Sequence, residues 1–92
     1  MVLNRTARMD TGSVSVGMHT LTKGRQARVT GFGLGDESLV AKLREIGFAE
    51  GDEVELLARG WLGGAPLSFR LNRTVIALRK AEAAMILVEP AA

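Results

Sequence analysis

The sequence predicts a mainly-β fold: a small, partly open barrel of five short strands, with one α-helix across the barrel mouth. Five segments between residues 26 and 89 alternate apolar and polar positions or form short apolar runs, and both patterns are typical of strands. Only residues 36–47 repeat apolar positions at helical spacing over several turns. Strands this short cannot cover a core as one flat sheet, so we expect a sheet that closes on itself.

The predicted strands follow one another through short connections. The second of them, DEVELLARG, alternates Val54, Leu56 and Ala58 against mostly charged residues. The sequence KAEAA at residues 80–84 consists of good helix formers and predicts a short helical turn before the last strand, which Pro90 ends. The five predicted strands are residues 26–32, 52–60, 66–72, 74–79 and 85–89.

One helix is predicted over the segment DESLVAKLREIG, residues 36–47. Asp36 stands where a helix N-cap belongs, and Gly47 stands where a glycine commonly ends a helix. Phe48 follows at once, and we expect it to anchor this end of the helix in the core. The apolar face that should close the barrel mouth consists of Leu39, Leu43 and Ile46.

The chain divides into an extension and a domain. A length of 92 residues and a hydrophobic share of 47% indicate one small domain with a single core. The first residues mix Asn, Arg, Thr, Ser and Gly without an apolar period, which is typical of a segment that packs little. We therefore expect residues 1–18 to be a flexible extension or a vector-derived leader, with Met18 as a candidate native start. Residues 19–92 should form the barrel domain.

Composition excludes several classes of function. The formal net charge is +2, from 12 basic and 10 acidic residues, which is too balanced for nucleic-acid binding. Cysteine is absent, which excludes disulfides and thiolate metal sites and fits a reducing compartment. No apolar run reaches the roughly 18 residues that a membrane helix needs. We expect a cytoplasmic protein without direct membrane insertion.

The chemical motifs of an enzyme are also absent from the sequence. The connection GFGLGD follows a strand and opens a helix, as a phosphate-binding loop does. However, Asp36 stands at the third glycine position, and the charges of Asp36 and Glu37 would repel a phosphate. The serines have no evident base, because the single histidine, His19, lies at the edge of the predicted domain. The sequence therefore predicts a protein that is not an enzyme.

Two segments resemble one known family. LREIGFAEG at residues 43–51 and ALRKAEAAMILV at residues 77–88 are similar to the patterns L-x-E/D-I/L-G-F/L-x-x-G and A-L-R-x-x-E-A-x-x-I-x-V. These patterns occur in FeoA proteins, the small accessory proteins of bacterial ferrous iron transport. The resemblance extends from Leu21 to Pro90.

The resemblance implies an SH3-like barrel, in agreement with the strand pattern, and a non-catalytic role. The implied partner is the membrane ferrous iron transporter, which carries a cytoplasmic GTPase domain. We therefore expect an accessory protein that docks on that cytoplasmic part and modulates iron uptake. Similar domains occur at the C-terminus of iron-dependent transcriptional repressors, so the alternative is a regulatory domain that senses a transition metal by binding it.

A firm metal site or cofactor is not expected. Transition metals favour imidazole or thiolate ligands, and His19 is the only residue of either kind. A weak homodimer would offer His19 twice, with glutamates completing the ligand set. The simpler interpretation is a solvated histidine beside the extension, with at most weak binding of a transition metal ion.

The most specific candidates for partner binding lie in the second half of the chain. Trp61, in RGWLGGAP, falls outside every alternating strand pattern, and tryptophan in an exposed loop is typical of a binding hot spot. Alternatively, Trp61 packs back over the open side of the barrel. Arginine is preferred where several donors recognise a carboxylate or phosphate, although solvated strand faces also carry it. The predicted contact residues are Trp61, Arg59, Arg70 and Arg73.

Overall fold

The computed structural model describes residues 14–61 and 63–91. The prediction of a mainly-β fold is confirmed, with six strands rather than five among the described residues. The elements in chain order are β1 (Val16–Gly17), a 3₁₀ helix (Met18–Thr20), β2 (Gln26–Phe32), α1 (Glu37–Ile46), β3 (Glu53–Gly60), β4 (Gly64–Leu71), β5 (Thr74–Leu78), α2 (Lys80–Ala84) and β6 (Ile86–Pro90). The strands form one antiparallel sheet in the order β1-β6-β2-β3-β4-β5.

One hydrophobic cluster fills the inside of the curved sheet. The largest fully buried side chains include Phe48 and Phe69, and no polar or charged side chain of the described residues is buried. Alternation places Val54 and Leu56 of β3 in this core, as the sequence predicts. Ala58 is exposed instead, because the pairing of β3 with β4 shifts register between Leu56 and Ala58, and such a bulge reverses the face toward which the next side chains point.

Helix α1 begins and ends where the sequence predicts. The Asp36 side chain accepts a hydrogen bond from the Leu39 amide at 3.0 Å, so the protein's own carboxylate occupies the position that an anion would take. Gly47 has φ 131°, a left-handed conformation that favours glycine. Its amide donates to the carbonyl oxygens of Leu43 and Arg44, which ends the helix.

The helix closes the core with fewer residues than predicted. Leu43 is fully buried and Leu39 packs against the core at its edge, but Ile46 is 40% exposed. The prediction for Ile46 is wrong because the chain turns at Gly47 and places Phe48, which is 1% exposed, in the core instead. The last three residues of the helix, 44–46, therefore face solvent.

The folded domain starts earlier than the predicted boundary between residues 18 and 19. Val16 pairs with Val88 and Gly17 with Leu87, and Met18 is fully buried. Residues 16–18 therefore belong to the domain, which corrects this part of the predicted extension. A two-residue strand is too short to show a period, which is why the sequence did not reveal it. The rest of the predicted extension, residues 1–13, lies outside the described residues.

The helices of this fold are short. Within residues 14–61 and 63–91, none of them is long and apolar enough to cross a bilayer.

Candidate partner-docking surface

The hairpin of β3 and β4 carries the most exposed aromatic residue of the described chain. Its strands pair from Val54 opposite Leu71 to Gly60 opposite Gly64, and Trp61 lies in the turn that follows β3. The Trp61 side chain is 90% exposed. Trp61 therefore lies in an exposed turn and does not pack back over the open side of the barrel. An exposed tryptophan offers a large apolar contact area to a partner.

The two strands approach closely at Gly60 and Gly64, which form the narrow neck of the hairpin. A Cβ atom at Gly60 would collide with the backbone carbonyl group of Ala65 on the opposite strand. Only glycine fits this close approach of two backbones. The pairing of Gly60 with Gly64 therefore holds Trp61 in a short turn rather than in a long loop.

Arg59 has a bonding role within the chain that its sequence position did not indicate. Its Nη2 atom donates to the carbonyl oxygen of Leu21 at 2.7 Å and to that of His19 at 3.1 Å. These bonds join the end of β3 to the 3₁₀ helix, which contains His19, and to Leu21, which follows it. Two predicted site residues are thus in contact: the Arg59 side chain donates to the backbone carbonyl of His19. Arg59 is placed to hold the hairpin in position.

Arg70 and Arg73 lie at the opposite end of the same hairpin. Arg70 stands across from Glu55 in the ladder, and its Nη1 donates to the Glu55 carboxylate at 2.8 Å. Arg73 is in the exposed turn after β4, next to Asn72, whose φ is 55°. Strand β4 has eight residues, so at about 3.4 Å per residue the two ends are about 24 Å apart. Trp61 and Arg73 therefore lie near opposite ends of the hairpin, with Arg59 and Arg70 between them, opposite Leu67 and Glu55.

A groove with mixed apolar and charged lining, which the sequence did not indicate, lies beside α1. It encloses about 340 Å³. Leu34, at its rim, is 98% exposed. Arg44 lies with its guanidinium 4.4 Å from the centre of the Phe32 ring and donates two hydrogen bonds to the Glu50 carboxylate, both 3.0 Å. These bonds lower the pKa of Glu50. The signal was a leucine between glycines in GFGLGD, a connection that was considered as a phosphate-binding loop and rejected.

Comparison with known proteins identifies the family. The model of the FeoA domain matches residues 16–90. This chain belongs to the FeoA family. The match covers every strand and helix described above, and solved FeoA proteins are linked by name to iron transport. The resemblance drawn from the sequence is thereby confirmed.

Solved FeoA structures share the fold. FeoA from Stenotrophomonas maltophilia, complexed with zinc, is 30% identical over 84% of this chain and 91% of that chain, with a TM-score of 0.70. It is described as a procaryotic SH3 domain protein and a candidate activating factor of ferrous iron transport. A FeoA-like protein from Clostridium acetobutylicum is 27% identical over 82% of this chain and 85% of that one, with a TM-score of 0.73.

Regulatory proteins share the fold as well. A manganese-dependent transcriptional repressor is 17% identical, with a TM-score of 0.76, and the match covers 88% of this chain but 44% of the repressor. At this identity the likeness concerns the fold alone. Among curated proteins, none matched this chain significantly.

The zinc-bound FeoA relative raises the question of a metal site in this chain. The His19 ring lies against Gly17, where it would block any Cβ. Its Nδ1 atom is buried and makes no hydrogen bond within the described residues. In the same part of the chain, no three His, Asp or Glu side chains come close enough together to hold a metal ion. The described residues of one FeoA chain therefore do not fit a metal centre.

Proposed function

We propose that this FeoA protein is a non-catalytic accessory protein of ferrous iron uptake. It docks on the cytoplasmic, GTPase-containing part of the ferrous iron transporter and modulates transport from that side. The observation that carries this proposal is the FeoA match over residues 16–90. A 30%-identical relative described as a candidate activator of ferrous iron transport supports the same process.

Trp61 is the proposed centre of the contact. Its exposure of 90% leaves nearly all of its surface available to a partner. The narrow neck at Gly60 and the bonds from Arg59 support the turn that carries it. A preorganised turn loses little conformational freedom on binding, which favours affinity. In this proposal Arg59 positions the hairpin, and Arg70 and Arg73 contribute a separate basic surface.

A direct binding experiment tests the proposal. The full chain is titrated onto the purified cytoplasmic domain of the ferrous iron transporter, with and without guanine nucleotide. Saturable binding that is weakened by Trp61→Ala and unaffected by Leu34→Ala is the expected result. Leu34→Ala is the matched control because it removes another exposed apolar side chain at a different surface. Absence of binding in both nucleotide states contradicts the proposal.

The alternative of a metal-sensing regulatory domain has less support. It draws on repressors that are similar in fold at 17% identity. The zinc-bound relative favours it, but the described residues of this chain offer no ligand cluster. We therefore place transition-metal binding behind transporter docking.

A further inference from the structure

Strand β5 is an open edge of the sheet. It pairs with β4 on one side, and within the described residues the backbone of Thr74–Leu78 makes no hydrogen bond outside that ladder. Thr74, Val75 and Ala77 are exposed, with Val75 at 62%. An open edge presents backbone amide and carbonyl groups that can pair with another strand.

The chain segment around this edge is rich in basic residues, and the Glu82 carboxylate beside it is engaged by a hydrogen bond from the Arg79 backbone amide. The segment RLNRTVIALRK, residues 70–80, contains four basic residues and no acidic one. No acidic residue occurs between Glu55 and Glu82, although the whole chain has a net charge of only +2. Arg73 directly precedes β5 and Arg79 directly follows it. The edge is therefore bracketed by arginines at both ends.

These arginines disfavour a second copy of the chain as the occupant. If two β5 strands paired antiparallel about Ile76, Arg73 of one copy would lie opposite Arg79 of the other. Like charges directly opposite in a ladder are destabilising. The same two arginines favour a strand with carboxylates, since opposite charges across a ladder stabilise it.

We propose that the β5 edge binds an extended acidic segment of a partner protein by strand addition. The backbone of the segment pairs with β5, an apolar residue packs against Val75, and carboxylates lie near Arg73 and Arg79. Strand addition is a common mode of peptide recognition, in which main-chain hydrogen bonds supply affinity and side chains supply specificity. This inference does not rest on the proposed function, because the edge and its charges would select an acidic strand from any partner.

The first test uses a synthetic peptide on the full chain. The probe is a short peptide with blocked ends that alternates glutamate and valine, and hydrogen exchange of individual amides is followed by NMR. We expect protection of amides within residues 74–78 and at least tenfold weaker binding when lysine replaces glutamate. No binding at millimolar peptide, protection confined to other strands, or equal affinity for both peptides overturns the proposal.

Charge reversal supplies the second test. In Arg73→Glu combined with Arg79→Glu, we expect the preference to reverse, so that the lysine peptide binds more tightly than the glutamate peptide. The matched control is Lys23→Glu in the exposed loop before β2, which should keep the original preference. Should the double variant unfold, Val75→Glu places one repelling charge on the same edge and should weaken the glutamate peptide at least fivefold. An unchanged preference in a folded variant contradicts the proposal.

Discussion

The guanidinium of Arg59 lies 2.7 Å from the carbonyl oxygen of Leu21 and donates a hydrogen bond to it. Leu21 itself is 3% exposed and belongs to the core. The bond therefore connects the end of β3 with a buried point of the segment that precedes β2. A charged donor on a backbone carbonyl stabilises more than a neutral one.

The first prediction concerns this bond. Arg59→Ala should lower the free energy of unfolding by about 1–2 kcal/mol, because two backbone carbonyls lose a charged donor. Urea unfolding followed by circular dichroism measures it. Arg73→Ala, in the exposed turn after β4, is the control and should change stability by less than about 0.5 kcal/mol. Equal stability of the two variants would mean that the Arg59 bonds contribute nothing.

The second prediction compares two residues of α1. Leu43→Ala should lower the free energy of unfolding by about 2–4 kcal/mol, since Leu43 is fully buried and its truncation leaves a cavity. Ile46→Ala removes a similar side chain that is 40% exposed and should have a much smaller effect, about 1 kcal/mol or less. Chemical denaturation of both variants measures the difference. A Leu43→Ala midpoint equal to that of the unchanged protein would show that α1 does not close the core.

The third prediction separates binding from stability at Trp61. Trp61→Ala should weaken binding to the transporter's cytoplasmic domain by about 2 kcal/mol, roughly thirtyfold. Its unfolding free energy should stay within about 0.5 kcal/mol of the unchanged protein, because the side chain is 90% exposed. Calorimetry and denaturation of the same sample measure both quantities. Normal binding by the variant, or weaker binding that merely follows unfolding, would exclude Trp61 as a contact.

The fourth prediction concerns metal ions. Calorimetric titration of the chain with Zn²⁺ or Fe²⁺ should reveal no tight one-to-one site, because His19 is the single imidazole and the described residues bring no three potential ligand side chains together. His19→Ala should therefore change the titration little. Sub-micromolar binding that disappears in His19→Ala would instead support the regulatory, metal-sensing alternative.

The fifth prediction concerns acid pH. The Glu82 carboxylate accepts a hydrogen bond from the Arg79 backbone amide at 2.9 Å and one from Lys42 Nζ at 3.3 Å. The pKa of Glu82 is lowered, mainly by the hydrogen bond from the Arg79 amide and further by Lys42. A carboxyl whose pKa is lower in the folded state stabilises the fold above its unfolded pKa, and this contribution is lost as pH falls through the folded value.

The matching experiment replaces Glu82 with glutamine. Glu82→Gln should lower stability at neutral pH by about 0.5–1 kcal/mol. The loss of stability below about pH 4.3, the ordinary glutamic acid value, should be smaller in the variant than in the unchanged protein. Unfolding curves at neutral pH and at several acidic pH values measure this. Parallel stability profiles for the two proteins would contradict a stabilising role of the Glu82 charge.

The regular parts of this fold could be predicted because each has a local cause in the sequence. Five strands followed from alternation or from short apolar runs, and α1 followed from its spacing together with Asp36 and Gly47. Phe48 was predicted in the core because an isolated aromatic residue after a helix-ending glycine has an apolar surface to bury. These signals act within a few residues of one another, and they need no knowledge of distant contacts.

The features that the sequence did not predict depend on contacts between distant segments of the chain. Strand β1 has two residues and exists through its pairing with β6. The exposure of Ala58 depends on a register shift against β4, and the bonds of Arg59 end on carbonyls of another segment. At the candidate site, the position of Trp61 outside every strand pattern was informative. Residue type selected Arg70 and Arg73 as candidates, but strand length separates them from Trp61, and the predicted strands at residues 52–60 and 66–72 already imply that separation.

Strand β6 lies between β1 and β2 in the sheet, although it comes last of the described strands along the chain. Val29, for example, pairs with Val88. On the ribosome, the ladder between β2 and β6 cannot form until residues 86–90 have left the exit tunnel. Shorter nascent chains keep the β2 edge open, and pairings between residues so distant in sequence form slowly. The domain therefore folds only after synthesis of β6, and until then chaperones have access to its apolar strands.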